Sequence, residues 1–307
     1  MNNTETLVTG ATGFIGRNLT KKLAEKHMVR CLVRETSDKS RVYELKNHAH
    51  IYYGDVRDKE SLRRAAAGID SVIHLVGVMA GTTGEKVSYE QVHVGGTKNL
   101  VDACKEADIK KFIYVSALGA SPDAATPFWR TKYEAEQIVV NSSLVYTIFR
   151  PSFVHGVGDY LVNQMYVRWI KNLHVAPVLR PSGKSQPVWV DDLIECLVKS
   201  LGSEKIKGVY EIGGPDQLTL DEFVNSIRDV LNIRSVKLPL PSFLVRFTRI
   251  WPLSKVYPKV FSSYPITAEQ VTMLQSDNIC DVEKVKRDFS IDLMPFKEAL
   301  RTYLERK

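Results

Sequence analysis

The sequence predicts an α/β protein, a doubly wound parallel sheet with a smaller, mainly helical C-terminal region. Three observations predict it. Through residue 150, short runs rich in β-branched and aromatic residues alternate with stretches whose apolar residues recur at helical spacing. The strand-like runs are almost continuously apolar, as strands covered on both faces must be. A glycine-rich turn, LVTGATGFIG (7–16), joins the first strand to the first helix.

Taken in order, TLVTG (6–10) is a short strand closed by glycine. Phe14, Ile15, Leu19 and Leu23 then predict a helix over 14–26. VRCLVR (29–34) and HIYYG (50–54) are strands, and KESLRRAAAG (59–68) is a short helix. DSVIHLV (70–76) is the fourth strand, followed by a long helix, SYEQVHVGGTKNLVDACKEA (88–107). KKFIYVS (110–116), PFWRTKYEAEQIVV (127–140) and LVYTIFR (144–150) are strand, helix and strand. After Pro151 the rhythm changes. Residues 151–186 read as loop-rich, with RPSGKSQP (180–187) as a linker or binding loop. PVWVDDLIECLVKSL (187–201) returns to a strand-like start and a helix, with Asp191 and Asp192 as its cap. KGVYEIGG (207–214) is another strand. Residues 217–307 read as mainly helical, interrupted by prolines at 239, 241, 252, 258, 265 and 295.

With 307 residues, 44% of them hydrophobic and 25% charged, the chain has the composition of a globular protein with a sizeable core. No apolar run approaches the ~18 residues of a membrane-spanning helix. The N-terminus, MNNTETLVTG, lacks a basic segment followed by an apolar one, so no signal peptide is expected. The net charge is +7, but the basic residues are scattered. That pattern favours a phosphorylated small ligand over nucleic acid. Cys31, Cys104, Cys196 and Cys280 are far apart, so reduced thiols in a cytoplasmic protein are expected, with no metal site.

Gly10, Gly13 and Gly16 follow a strand and open a helix. Glycine suits a tight turn, close approach of backbone to a pyrophosphate, and helix packing on a strand. The helix N-terminus offers unpaired N–H groups and partial positive charge to phosphates. TGATGFIG resembles the TGxxGxxG turn of the short-chain dehydrogenase/reductase superfamily, in its extended or atypical branch. GDVRD (54–58), DSVIHLVG (70–77), VHVGGTKNLVDAC (92–104), FRPSFVHGVGD (149–159), PVWVDDLIECL (187–197) and YEIGGP (210–215) are similar to later family segments. The resemblance implies a Rossmann domain of residues 1–150 plus about 187–214. Residues 151–186 plus 215–307 would form the substrate or partner side. It implies dinucleotide contacts at Gly10, Thr12, Gly13, Phe14, Ile15, Gly16 and Arg17, and adenine contacts at Asp55 and Val56. It further implies contacts at Leu75, Val76, Gly77, Ser116 and Lys132, with Pro151 and Ser152 beside the nicotinamide.

The second strand ends in Arg34 where a carboxylate would bind the ribose of NAD. A guanidinium there suits the 2′-phosphate of NADP(H), which is favoured over NAD(H). Glu35 is the residue that would serve NAD(H) instead. Arg17, a cation in a first helical turn, opposes the helix dipole, and phosphate binding would explain it.

The superfamily works with a Ser or Thr after the fifth strand and a Tyr-x-x-x-Lys helix, the Tyr acting as acid/base. Lys132 fits the Lys position, but Phe128 stands where the Tyr belongs. Tyr133 is offset by about 100° round the helix from Lys132 and does not replace it. Ser116 matches the strand-end serine, while Ala117 and Leu118 occupy the usual catalytic position. His74 reads as a packed core histidine. His93 and His155 are the other candidates for acid/base work. YVSALGA, FWRTKYEAE, RPSFVHG and PITAEQVTMLQSDNI resemble the atypical group containing the nucleotide-binding accessory subunit of respiratory complex I.

Three functions follow as expectations. The first is an NADP(H)-binding protein whose dinucleotide is structural or redox-sensing. The second is an active NAD(P)-dependent oxidoreductase or epimerase-like enzyme using Lys132 or a histidine. The third is an interaction or assembly protein with an empty cradle. FLVRFTRIWPLSKVYPKVF (243–261) mixes aromatic and basic residues and is the expected surface for a membrane or protein partner.

Overall fold

The computed structural model describes residues 5–78, 88–241 and 267–305. The sequence expectation about 243–261 lies outside them. The chain divides into two compact units. The first comprises Met1–Pro151, Val190–Glu211 and Lys284–Ser290, and the second Ser152–Trp189, Ile212–Glu283 and Ile291–Lys307.

The first unit holds a seven-stranded sheet. Its strands are β1 (Glu5–Thr9), β2 (Met28–Val33), β3 (His50–Tyr53), β4 (Ser71–His74), β5 (Lys111–Val115), β6 (Val145–Pro151) and β11 (Gly208–Ile212). Their order is β11-β6-β5-β4-β1-β2-β3, and β3 through β6 pair in parallel across it. Every residue of β4 and β5 is buried, which accounts for the apolar runs at their centres, Val72–Ile73 and Phe112–Val115. At the sheet edge, β3 leaves Tyr53 half exposed.

The helices of this unit are α1 (Phe14–Leu23), α2 (Lys39–Lys46), α3 (Lys59–Ala66), α4 (Gly96–Glu106), α5 (Pro127–Val140), α7 (Val190–Leu201) and α10 (Glu283–Phe289). One core cluster joins Leu7, Val72, Phe112 and Ile148 of the sheet to Leu62 of α3, Leu100 of α4 and Ala135 of α5. Elsewhere α1, lying on β1, packs against α7, lying on β5. This is the doubly wound arrangement the alternating pattern predicts.

The second unit is built on three short strand pairs. β7 (Val154–His155) runs parallel to β10 (Val188–Trp189), and β9 (Lys184–Ser185) antiparallel to β12 (Leu218–Thr219). β8 (Val175–Arg180) runs parallel to β13 (Val236–Pro241). Trp169 and Ile170 of α6 (Val167–Leu173), Phe223 of α8 (Leu220–Leu231) and Phe296 of α11 (Phe296–Leu304) share its core with Val178. The last helix of this unit to be introduced, α9 (Ala268–Gln275), opens on a capping box formed by Thr267 and Gln270.

Several expectations need correction. The region 151–186 is not mainly loop: it contains a π-helical stretch, Tyr160–Tyr166, then α6 and β8. VKLPLP is a strand despite its prolines, because β13 is a sheet edge and need not donate along one side. The helix expected over 88–107 begins as a π-helix over Glu90–Gly95 before α4 takes over. The domain boundary also shifts. Pro187–Trp189 and Ile212–Gly214 fall in the second unit, while α10 returns to the first. The cause of that return is aromatic packing: the Phe289 ring lies 5.6 Å from Phe149 and 5.0 Å from Tyr210.

Candidate functional site

β1 and β4 end side by side. Thr9 pairs with His74, and the Leu75 N–H donates to Thr9 O at 3.1 Å, so both chains leave the sheet together. Here the strand order reverses, which is where open α/β sheets bind ligands. A cavity of about 270 Å³ lies at this point, and its lining belongs wholly to the first unit.

Its floor is the glycine turn. Gly10 has φ +76°, and a Cβ there would lie 3.0 Å from both Leu75 C and Val76 N. A Cβ on Gly16 would collide with Gly10 O and lie 2.7 Å from Ala11 Cα. Gly13 closes the turn by donating its N–H to Gly10 O at 3.0 Å. As N-cap of α1 it brings no side chain to the first-turn N–H groups, and that turn carries no acidic residue. Phe14, Ile15 and Gly16 form this turn. Its N–H groups and the dipole are therefore left for an anion.

At one end the cavity is lined by Arg34, Ser37 and Arg41. Ser37 and Arg41 were not legible as site residues. Ser37 is placed by its N–H donating to Arg34 O, at 3.0 Å, and Arg41 lies in the first turn of α2, capped by Asp38. Next to them Asp55 accepts two bonds from the Arg57 guanidinium, at 3.0 and 2.7 Å, which hold its carboxyl below the usual range. Thr12, Val56, Leu75, Val76 and Gly77 complete the part of the lining that the sequence anticipated; Arg57, Val78 and Val92 add to it.

At Gly77 the wall is thin. A Cβ there would lie 3.7 Å from His93 Nε2 and 3.8 Å from Lys132 Nζ. Lys132 is buried, donates to Val115 O at 2.7 Å, and sits 4.4 Å over the Tyr114 ring. Burial pulls its amine down to about 7. His93 accepts from the Val78 N–H at 3.1 Å through Nε2, so its proton sits on Nδ1, 2.9 Å from Thr131 Oγ1. Thr131 in turn donates to Pro127 O at 2.9 Å. Burial, then the charge of Lys132, lower His93 to about 3, so this chain of bonds holds a neutral ring. Phe128 meets His93 edge-on at 5.5 Å, and Tyr89 stacks on His93 at 5.3 Å. Ser116 Oγ is buried with no hydrogen-bond partner among the described residues.

Other expected residues lie elsewhere. Arg17 pairs with Glu44 of α2 at 3.0 Å and is absent from the cavity lining. Its place in a first helical turn thus has a structural reason apart from phosphate. Pro151 O accepts from the Leu118 N–H at 2.8 Å. Ser152, in the second unit, is occupied by Asn278 at 2.7 Å. His74 is a neutral core residue held between Thr9, at 2.6 Å, and Thr97, at 3.1 Å, and burial lowers it to about 3. His155 is buried in the second unit beside Phe296 and Tyr303. Asp191 and Asp192 lie within the first turn of α7, where they favour the helix dipole.

The NAD(P)H-binding family model matches residues 10–160. The mitochondrial alpha subcomplex subunit 9 of NADH dehydrogenase from Arabidopsis thaliana is 31% identical over 307 residues, covering 94% of this chain and 74% of that protein. The chain belongs to the atypical short-chain dehydrogenase/reductase family. Another relative, the 2-alkyl-3-oxoalkanoate reductase of Stenotrophomonas maltophilia, is 26% identical over 96% of this chain and 97% of its own length. The UDP-glucose 4-epimerase of Thermus thermophilus shares the fold, with a TM-score of 0.76 at 19% identity, covering 98% of each chain. As in this family, the cradle is one for an NAD(P)-type dinucleotide. The cavity's glycine floor, uncapped helix terminus and basic end fit the pyrophosphate, and the unpartnered Ser116 hydroxyl marks a polar group still to be satisfied.

Proposed function

We propose that the protein binds NADP(H), and that the dinucleotide is structural or redox-sensing rather than turned over. Phe128 carries this reading: it stands one helical turn before Lys132, where the family places a phenol, and has no proton to exchange. Nicotinamide supplies hydride chemistry when bound, but this chain offers no phenol at position 128 to accompany the hydride with a proton. The grouping of Arg34, Ser37 and Arg41 supports the preference for a 2′-phosphate. Gly10, Thr12 and Gly13 would hold the pyrophosphate, and Asp55 and Val56 would border the adenine. The kinship with an NADH dehydrogenase subunit favours a role inside a larger assembly, with 243–261 as a contact surface and a cytoplasmic or membrane-peripheral setting.

The test is to denature the purified protein, identify any released dinucleotide by mass, and titrate NADPH and NADH against wild type and Arg34→Ala. Co-purified NADPH without turnover of carbonyl substrates supports the reading. Preference for NADH, or steady turnover, overturns it. A second reading is an active reductase in which Lys132 delivers the proton, favoured by its lowered amine and by the oxoalkanoate reductase relative. Cofactor oxidation that disappears in Lys132→Ala would establish that one. Binding of neither dinucleotide would leave the interaction protein with an empty cradle.

A further inference from the structure

On the reading that the cradle holds a nicotinamide dinucleotide, we propose that Lys132 makes the site read the redox state of its ligand. Its ammonium would disfavour the cationic, oxidised nicotinamide ring and spare the neutral, reduced one. Gly77 lines the cavity, and a Cβ added there would stand in ordinary contact with Lys132 Nζ, at 3.8 Å. The lysine itself is 3% exposed and fixed by Val115 O and the Tyr114 ring, so water does little to screen it.

The charge is only partly compensated, because the one carboxylate that attracts the amine, Glu136, is shared with Arg150. On its own helix, Glu136 is taken by Arg150 of β6 through bonds of 2.9 and 2.6 Å. From the π-helical stretch comes His93, neutral because burial, then the charge of Lys132 itself, lowers it to about 3. From β4 comes His74, neutral between two threonines. From β5 comes Tyr114, whose phenol burial raises, so it supplies no anion. A tyrosine at 128 could have supplied a phenolate; Phe128 supplies none. A ligand ring of positive charge therefore meets a cation whose one carboxylate is shared with Arg150, whereas a neutral ring carries no charge for it to repel. The pyrophosphate and any 2′-phosphate are common to both redox forms, so their contributions cancel from the ratio of affinities.

The amine titrates near 7, so the discrimination depends on pH. Below that value Lys132 is cationic and the oxidised form is disfavoured; above it the amine is neutral and the difference fades. The experiment measures the Kd of NADP⁺ and of NADPH for the intact chain by calorimetry, for wild type, Lys132→Met and Lys132→Arg, at about pH 6 and about pH 8.5. Wild type should bind NADPH at least ~10-fold tighter than NADP⁺ at the lower pH, the order expected of one poorly screened charge, and far less selectively at the higher. Lys132→Met should lose the pH dependence together with the selectivity. Lys132→Arg, permanently charged, should keep selectivity at both values, and it tests the idea even if the Met variant misfolds. Equal affinities in wild type at both pH values, or selectivity that survives in Lys132→Met, would overturn the proposal alone. Binding of neither form would overturn the dinucleotide reading beneath it.

Discussion

Replacing Gly16 by alanine sets two effects of opposite sign against each other. Gly16 lies inside α1, where alanine is the better helix former by about 1 kcal/mol. A Cβ at this position, however, would strike Gly10 O and approach Ala11 Cα to 2.7 Å and Ala11 C to 2.9 Å. All three are backbone atoms, with no rotamer through which to yield. Overpacking of this kind costs about 1–3 kcal/mol. Since all the struck atoms are backbone, the upper part of that range applies and the collision should win, leaving Gly16→Ala less stable by up to ~2 kcal/mol net. Because the struck atoms belong to the βα turn, dinucleotide affinity should fall with stability. The control is Gly202→Ala, where the added Cβ meets only Lys199 O, at 4.0 Å. Urea unfolding of the three proteins, read as a midpoint shift at constant m-value, together with NADPH titration, checks this. A Gly16→Ala midpoint at or above wild type, with unchanged affinity, would refute the reasoning from backbone contact.

Other outcomes are expected. Arg34→Ala and Arg41→Ala should each weaken NADPH binding ~10-fold or more while leaving NADH within about twofold, because a charge-assisted bond to a 2′-phosphate is absent from NADH; equal losses for both dinucleotides would remove these residues from discrimination. His74, His93 and His155 are all lowered by burial to about 3, below the 6.5 of a free histidine. Folded-state values that are depressed give stability that is full above pH 6.5 and is lost as the pH falls toward 3. Each histidine should add a slope of up to ~1.4 kcal/mol per pH unit, read from unfolding midpoints across that window. Lys132, lowered from 10.5 to about 7, carries the same sign in a higher window. Wild-type stability relative to Lys132→Met should therefore rise as the pH climbs from 7 toward 10.5, and a flat difference would contradict the buried amine.

The sheet was legible because its strands announce themselves locally: β4 and β5 are buried runs centred on Val72–Ile73 and Phe112–Val115 and bounded by turns. The glycine turn was legible for the same reason. By contrast, α2 escaped notice because only Val42 and Leu45 of its eight residues are buried, too little to print a helical period. With α2 went Arg41, which that helix carries to the cavity. The pairing of Arg17 was equally hidden, since its partner Glu44 lies 27 residues away and no spacing rule reaches that far. The same holds for His93, whose hydrogen-bond partners are Val78 and Thr131, the latter 38 residues on. Sequence spacing thus reported which residues share an element. It was silent on which side chains from different elements meet, and the chemistry of the Lys132 neighbourhood is made almost entirely of such meetings.

The return of α10 to the first unit has a consequence for how the molecule can be made. The chain passes between units after residues 151, 189, 211, 283 and 290, so neither unit exists as an uninterrupted piece of sequence. A fragment ending at Pro151 would contain the whole glycine turn yet lack β11 and α10, leaving the Phe149 ring without Tyr210 and Phe289. On the ribosome, the nucleotide-binding unit is complete only once Ser290 has emerged, long after its glycine turn. A premature stop or a frameshift just ahead of that codon would therefore leave the nucleotide-binding unit unfinished, although its glycine turn had been made long before.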